Sequence, residues 1–384
     1  LLSDIDVGFV LAKADDASVQ PAAALGVNFP TFWAVRASVG DFALVNLLPD
    51  SIGFTLEGIQ LIVNGGGNAT GTKTGKATIN WADSFPAGSG NPAGLAINTG
   101  GPDPVYIDFS GPVIGISATK VVLSISDFVH ISGGFSFVKG ATLTVDIQTN
   151  NAAYFTTGLG AAIPIVEPPG GGTYRSADGK TLYNVPISTI QIGINAASVF
   201  VGYNPNVGAT FDVGPDGILT EDELSPDAIG LLASNVDFGM VLSTVQPTLQ
   251  MRTVGAPRFL TLKGSVGQVK VVGLDDFLTL ELNHVRVEVN RGGKWANAPP
   301  ADVGPAILWS DYDSGNGYGV STGEGNPPVV VDMEGYLIGG GADLLVLGIG
   351  EFVHLRGAAY FEMGAVETVP LVSSVIDASI LDAL

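Results

Sequence analysis

Apolar and polar residues alternate along much of the chain. Ile59-x-Leu61-x-Val63, Ile131-x-Gly133-x-Phe135-x-Phe137, Phe277-x-Thr279-x-Glu281 and Val285-x-Val287-x-Val289 all repeat with a period of two. That period puts successive side chains on opposite faces of a strand, so each run predicts a half-buried β-strand. Asp127-Phe128-Val129, Asp276-Phe277-Leu278 and Glu351-Phe352-Val353 each open such a run, and residues 190–202 carry a looser version. The motif reads as strand, short bend, strand. Two stretches depart from it. Residues 220–235 open with Thr220-Glu221-Asp222-Glu223 and carry Ile229, Leu231 and Leu232, which predicts a short helix. Near the C-terminus Val372, Ile376, Ile380 and Leu384 fall four apart, the stripe of an amphipathic helix or of an end that docks on a neighbour.

The alternation is itself repeated on a longer scale. Residues 107–140 align without gaps on residues 331–364 at an offset of 224, and fourteen of those 34 positions are identical. Among them are Asp108/Asp332, Gly111/Gly335, Phe128/Phe352, His130/His354, Phe137/Phe361 and Gly140/Gly364. Ile79-x-Trp81-x-Asp83 matches Ile307-x-Trp309-x-Asp311, residues 48–64 track residues 274–290, and Asp6-x-Gly8-x-Val10-Leu11 matches Asp237-x-Gly239-x-Val241-Leu242. A collinear series of this kind marks an internal duplication. It divides the chain into copy one (1–140), a connecting β module (141–234) and copy two (235–384). The absence of an initial Met and the echo of Ala141-x-x-Thr144-Val145 in Ala365-x-x-Thr368-Val369 favour a window from a longer tandem array over a complete two-lobed protein. The expected fold is all-β, an elongated repeat architecture of stacked or solenoid-like β-units with one or two short helices. Tandem β-sandwiches are the alternative.

Composition narrows the function. The 37 Asp plus Glu against 16 Lys plus Arg leave a net charge of -21, which argues against nucleic-acid binding, since affinity for phosphate backbones comes from Lys and Arg. With no Cys, disulfides, thiolate nucleophiles and Cys-ligated zinc are excluded, and three His are few for a His-rich metal site. The longest apolar stretch, 336–350, is interrupted by Asp343 and rich in Gly, so no membrane span is expected. An outer-membrane barrel is disfavoured because the runs show no aromatic girdles.

The best chemical motif is the twelve-residue string from Asp212 to Glu223, which has the spacing of an EF-hand calcium loop. Asp212, Asp216 and Glu223 hold positions 1, 5 and 12, Gly217 holds the sharp turn at 6, Ile218 offers a carbonyl at 7 and Thr220 stands at 9. Gly214 replaces the usual ligand at position 3, which weakens the site. The same residues also suit a Gly/Pro turn before an acidic helix N-terminus. A second acidic turn, Asp311-Tyr312-Asp313-Ser314-Gly315-Asn316-Gly317, offers Asp311 and Asp313 to calcium, or is a plain solvated turn. Trp295, in the polar loop around 291–295, is a candidate for stacking on a sugar ring or partner. Trp81 and Trp309, being matched, read as core. His130 and His354, also matched, read as packing or core hydrogen-bonding groups, and His284 as a surface residue. Gly319-Val320-Ser321-Thr322-Gly323 matches the string of a nucleophile elbow, but Pro327-Pro328 leave no prompt helix after it, so it reads as a loop. No grouping calls for an enzyme.

The strings Val236-Asp237-Phe238-Gly239, Gly273 to Leu280, Val287-Glu288-Val289-Asn290 and Phe128 to Gly140 resemble repeat units of very large, acidic, Gly-rich bacterial surface or secreted proteins. The resemblance implies an extracellular or cell-surface setting and a structural or adhesive role, and it carries over no catalytic residue. The expectation is a noncatalytic structural segment (stalk, filament or matrix block) with calcium as cofactor and copies of itself or neighbouring repeats as partners. A calcium-dependent carbohydrate-binding module, with glycans as partners, is the alternative.

Overall fold

The computed structural model describes residues 2–13, 31–43, 52–67, 77–88, 90–149, 151–152, 163–169, 171–205, 219–246, 258–293, 304–323 and 325–364. The chain is all-β, as the alternation predicts. In copy one the strands are β1 (Leu2–Lys13), β2 (Thr31–Ala43), β3 (Ile52–Gly65), the short β4 (Leu95–Ile97) and β5 (Val105–Ile107), then β6 (Val113–Ile125) and β7 (Val129–Lys139). The connecting segment holds β8 (Leu143–Gln148), β9 (Tyr174–Arg175) and the 23-residue β10 (Thr181–Tyr203). Copy two holds β11 (Ile229–Val245), β12 (Arg258–Val272), β13 (Leu278–Gly292), the short β14 (Ala306–Ile307), β15 (Tyr318–Val320) and β16 (Val329–Val331), then β17 (Leu337–Ile349) and β18 (Val353–Met363).

The long strands form one antiparallel meander in the order β1-β2-β3-β6-β7-β10-β11-β12-β13-β17-β18. Five strands of copy one and five of copy two thus stand in the same order on either side of β10. The two copies share this sheet, and neither forms a separate sandwich among the described residues. The bends open where the Phe motifs stand: the amides of Phe128, Phe277 and Phe352 donate to the carbonyls of Ile125, Leu274 and Ile349 at 3.2, 2.8 and 3.1 Å.

One face of the sheet is covered by segments that leave it and return. Over copy one, a single helical turn (Trp81–Ser84) and the β4–β5 hairpin bury Trp81, Ile107 and Phe109 on Ala34. Over β10, β11 and β12 lie a 3-10 segment (Trp309–Gly315) and the β15–β16 hairpin, entered from β14, which pairs with β8; they bury Trp309, Val320, Val331 and Met333 on Ile187, Val241, Val245 and Phe259. Both Trp readings hold. A third cluster, Phe200, Leu219, Leu224, Leu232 and Val272, closes the β10–β11 end.

Each copy fastens its Trp layer with a buried Asn. In copy one Asn64 Nδ2 donates to the carbonyls of Ile79 and Gly111 at 3.0 and 2.8 Å, and Trp81 Nε1 donates to Asn64 Oδ1 at 3.0 Å. In copy two Asn290 Nδ2 donates to the carbonyls of Ile307 and Gly335, both at 2.7 Å. There Trp309 Nε1 reaches Asn290 through Thr261, whose hydroxyl accepts from the indole at 2.7 Å and donates to Asn290 Oδ1 at 3.0 Å. Ala34, opposite Asn64 in the ladder, stands where Thr261 stands opposite Asn290, so the relay is absent and the contact direct. Arg36 pairs with Asp108 in one copy and Lys263 with Asp332 in the other. The ladder slips at the same place in both, between Ala118 and Val121 and between Ala342 and Leu345.

The predicted helix over 220–235 is corrected. Only Glu221–Glu223 turn, as a 3-10 helix, and β11 begins at Ile229, paired with Tyr203. Pro226 breaks a helix at this point because it lacks an amide donor and its ring clashes with the preceding turn. Ile229, Leu231 and Leu232 then serve a strand. The apolar stripe at Val372, Ile376, Ile380 and Leu384 lies outside the described residues.

Candidate assembly edges and acidic turns

Among the described residues β10 is the only long strand of the sheet that belongs to neither copy. On one side it pairs with β7, matching Ile192 to Phe137, Gly193 to Ser136 and Phe200 to His130. On the other it pairs with β11, matching Ile190 to Leu242, Gly193 to Gly239 and Ile194 to Phe238. Glycine at 193 is required by packing: a Cβ there would lie 1.9 Å from the Ser321 carbonyl oxygen of the overlying hairpin. Past Asn195 the strand bulges, with Ala196 at φ 46°, and Asp237 of β11 holds the bulge. Its Oδ1 accepts from the Ala196 amide at 3.0 Å and from Asn195 Nδ2 at 3.1 Å. A carboxylate accepting two donors is a charge-assisted clamp, and it fixes the register of the junction.

His130 shows what β10 does to its neighbour. It is fully buried and stacked on Phe200 of β10, with centroids 6.1 Å apart, and burial holds its pKa below the usual imidazole value, more than the nearby Asp127 raises it. The packing role expected of the matched pair is therefore seen at His130. His354, its counterpart in β18, is exposed. The whole of β18 is exposed, with Phe361 at 65%, whereas β7 alternates between buried and half-buried positions. β1 likewise exposes Ile5, Val7, Phe9 and Leu11, while of their counterparts in β11 Val236, Phe238 and Met240 are half-buried and Leu242 is exposed. Among the described residues no strand pairs the outer edge of β1 or of β18.

The acidic candidates divide. Asp212, Asp216 and Ile218 lie outside the described residues, as does Trp295. Thr220 and Glu223 are brought together, and Glu223 Oε2 accepts from the Thr220 amide at 2.7 Å and from its hydroxyl at 2.5 Å. This capping box closes the 3-10 turn, and Glu221 pairs with Lys270 across the sheet end. Asp311 and Asp313 sit in the 3-10 segment. Asp313 adopts φ 49°, and its carbonyl accepts from the Asn316 amide and side chain at 3.3 and 2.8 Å, so it organises a turn. Among the described residues no three acidic or His side chains gather into a metal-holding group. Ser321 lies just after β15, in the β15–β16 connection, and its hydroxyl is 3.3 Å from that of Ser136. His284 is exposed and lies 3.8 Å from Asp343, which also accepts from Arg286 and Tyr360 at 2.6 and 2.9 Å. No helix among the described residues is long and apolar enough to cross a membrane.

Sequence reasoning aligned Asp6 with Asp237 and ran its matched segments through Asn64 and Asn290, yet assigned none of them a role. The available signal was a polar side chain kept at matched positions inside apolar runs. No family model, curated protein or solved structure matches this chain.

Proposed function

We propose that this chain is a noncatalytic structural building block, a segment of an extended extracellular β-sheet assembly such as a stalk, filament or matrix layer. The observation that carries this reading is the place of β10, which joins two five-strand runs of the same order into one meander. The matched Asn–Trp fastenings support it, because each copy brings its own covering layer and so can be added to a sheet without redesign. The extracellular setting rests on the resemblance to large surface and secreted repeat proteins. Calcium belongs to the proposal through the loop of Asp212, Asp216, Ile218, Thr220 and Glu223, where the ion would stiffen the entry to copy two.

The test is to append a further copy of residues 141–364 after Gly364 and measure shape by small-angle X-ray scattering. Six more long strands at roughly 4.8 Å spacing should widen the particle by about 29 Å, with no separate melting transition. A second compact body with its own transition would count against the reading.

A further inference from the structure

The chain carries both neighbours of β10 twice, but β10 itself once. β18 matches β7 at an offset of 224, and β1 matches β11 at an offset of 231. In mid-sheet, β7 and β11 are the two strands that β10 separates. The outer edges of β18 and β1 are thus the two edges that β10 occupies elsewhere in the same molecule, and both strands carry exposed apolar side chains, among them Phe361 and Phe9.

Resting on the building-block reading, we infer that these edges bind a strand of β10's kind from an adjoining unit, with β18 and β1 as the two halves of one strand-accepting site. Carrying over the ladder of β7 gives the register on β18: an Ile192-type residue opposite Phe361, a Gly193-type residue opposite Tyr360 and a Phe200-type ring opposite His354. The ladder of β11 gives the register on β1: an Ile190-type residue opposite Leu11, a Gly193-type residue opposite Gly8 and an Ile194-type residue opposite Val7. Three further observations favour this occupant over direct pairing of β18 with β1.

The first is Asp6. It stands where Asp237 stands, so its carboxylate is placed to accept from the amide and side chain of an Asn195–Ala196 bulge. β18 has Ala358 and Ala359 at the positions corresponding to Gly134 and Phe135, and no Asn-bearing bulge of that kind to offer.

The second is an apolar groove of about 350 Å³ in copy one. Phe54, Leu56, Val121 and Phe135 line it together with Ile194 and Ala197 of β10. Copy two presents Leu280, Leu282 and Leu345 at three of the matched positions, with Ala359 in place of Phe135 and no β10 wall. The third is His354, a residue whose counterpart is covered by a β10 ring. Strand addition of this kind draws affinity from main-chain hydrogen bonds and specificity from alternate side chains.

The experiment mixes the full chain with a synthetic peptide of residues 188–203 bearing a Lys-rich solubilising tail, with a scrambled peptide as control, and measures binding by calorimetry. Two peptides should bind each chain, and the scrambled one none. D6A removes an acceptor of two hydrogen bonds and should weaken one of the two sites at least about tenfold. H354D places a charge beneath an incoming ring and should weaken the other to a similar degree. Both residues are exposed, so retained far-UV circular dichroism and melting point should show that the variants fold. In NMR spectra the His354 ring protons should shift on binding and those of His284 should not.

Absence of binding, equal binding of the scrambled peptide, or binding indifferent to both substitutions overturns the inference. So does edge-to-edge dimerisation of the chain without peptide. If the peptide fails while the extended chain still widens by about 29 Å, only the strand assignment falls; if the widening fails too, the building-block reading falls with it.

Discussion

Replacing Asn290 by Ala removes three hydrogen bonds at once. The side chain is fully buried, donates to the carbonyls of Ile307 and Gly335 at 2.7 Å each, and accepts from the Thr261 hydroxyl at 3.0 Å. A typical intramolecular hydrogen bond is worth about 1 kcal/mol net, and a buried partner left unpaired costs about 1–3 kcal/mol, so a loss of about 3–5 kcal/mol is expected. Thr261→Ala gives the contrast. It deletes the relay between Trp309 and Asn290, but copy one lives with Ala34 at that position and lets Trp81 donate directly to Asn64 at 3.0 Å. The Trp309 indole can close the same contact, so Thr261→Ala should cost about 1 kcal/mol or less. Urea denaturation followed by Trp fluorescence measures both, with an unchanged slope showing that the denatured state is the same. An N290A loss below about 1 kcal/mol, or a T261A loss equal to it, would refute the view that Asn is the fastening and Thr a spacer.

The other predictions concern protonation, close packing and calcium. Because burial holds the His130 pKa below the ordinary 6.5, the unfolded chain binds the proton first. The stability from neutral His130 is full above pH 6.5 and is lost as pH falls from there through the folded value, and H130F should flatten that part of a stability-against-pH curve. Gly193→Ala drives a Cβ into the Ser321 carbonyl and should cost about 1–3 kcal/mol in denaturant. Gly264→Ala, whose Cβ meets nothing nearer than 3.4 Å, should be close to neutral, and equal losses at the two glycines would contradict the packing. Calcium at a hundredfold its dissociation constant should stabilise the chain by about 2.7 kcal/mol, read as a higher melting point that chelator abolishes. E223Q keeps the cap in chelator but loses the calcium response; an unchanged melting point in wild type with and without chelator removes calcium from the account.

The strands and the duplication were legible because both are written locally: period two fixes which residues share a face, and the offset of 224 needs only comparison of one segment with another. The matched Trp81 and Trp309 were placed in the core for the same reason. What the alternation did not carry was partnership. Residues 190–202 gave a strand, but nothing in them says that β7 and β11 lie on either side. Residues 220–235 misled because Glu221, Asp222 and Glu223 are a true start signal, and the 3-10 turn with its Thr220–Glu223 cap answers to it. Pro226 and the pairing of Ile229 with Tyr203 then override the helical spacing. Glu223 stands at position 12 of the calcium-like loop, and the cap it makes on its own turn was not legible in that spacing. Spacing along the chain identifies donors and acceptors but not the competition among their partners.

The account stands on β10 as the strand that knits two copies into one sheet, and native-state hydrogen exchange of the full chain tests this most directly. The ladder amides of residues 187–201 should exchange only through global unfolding, with the same free energy as those of β7 and β11. Exchange of β10 at a markedly lower free energy, with the two copies opening independently, would contradict it.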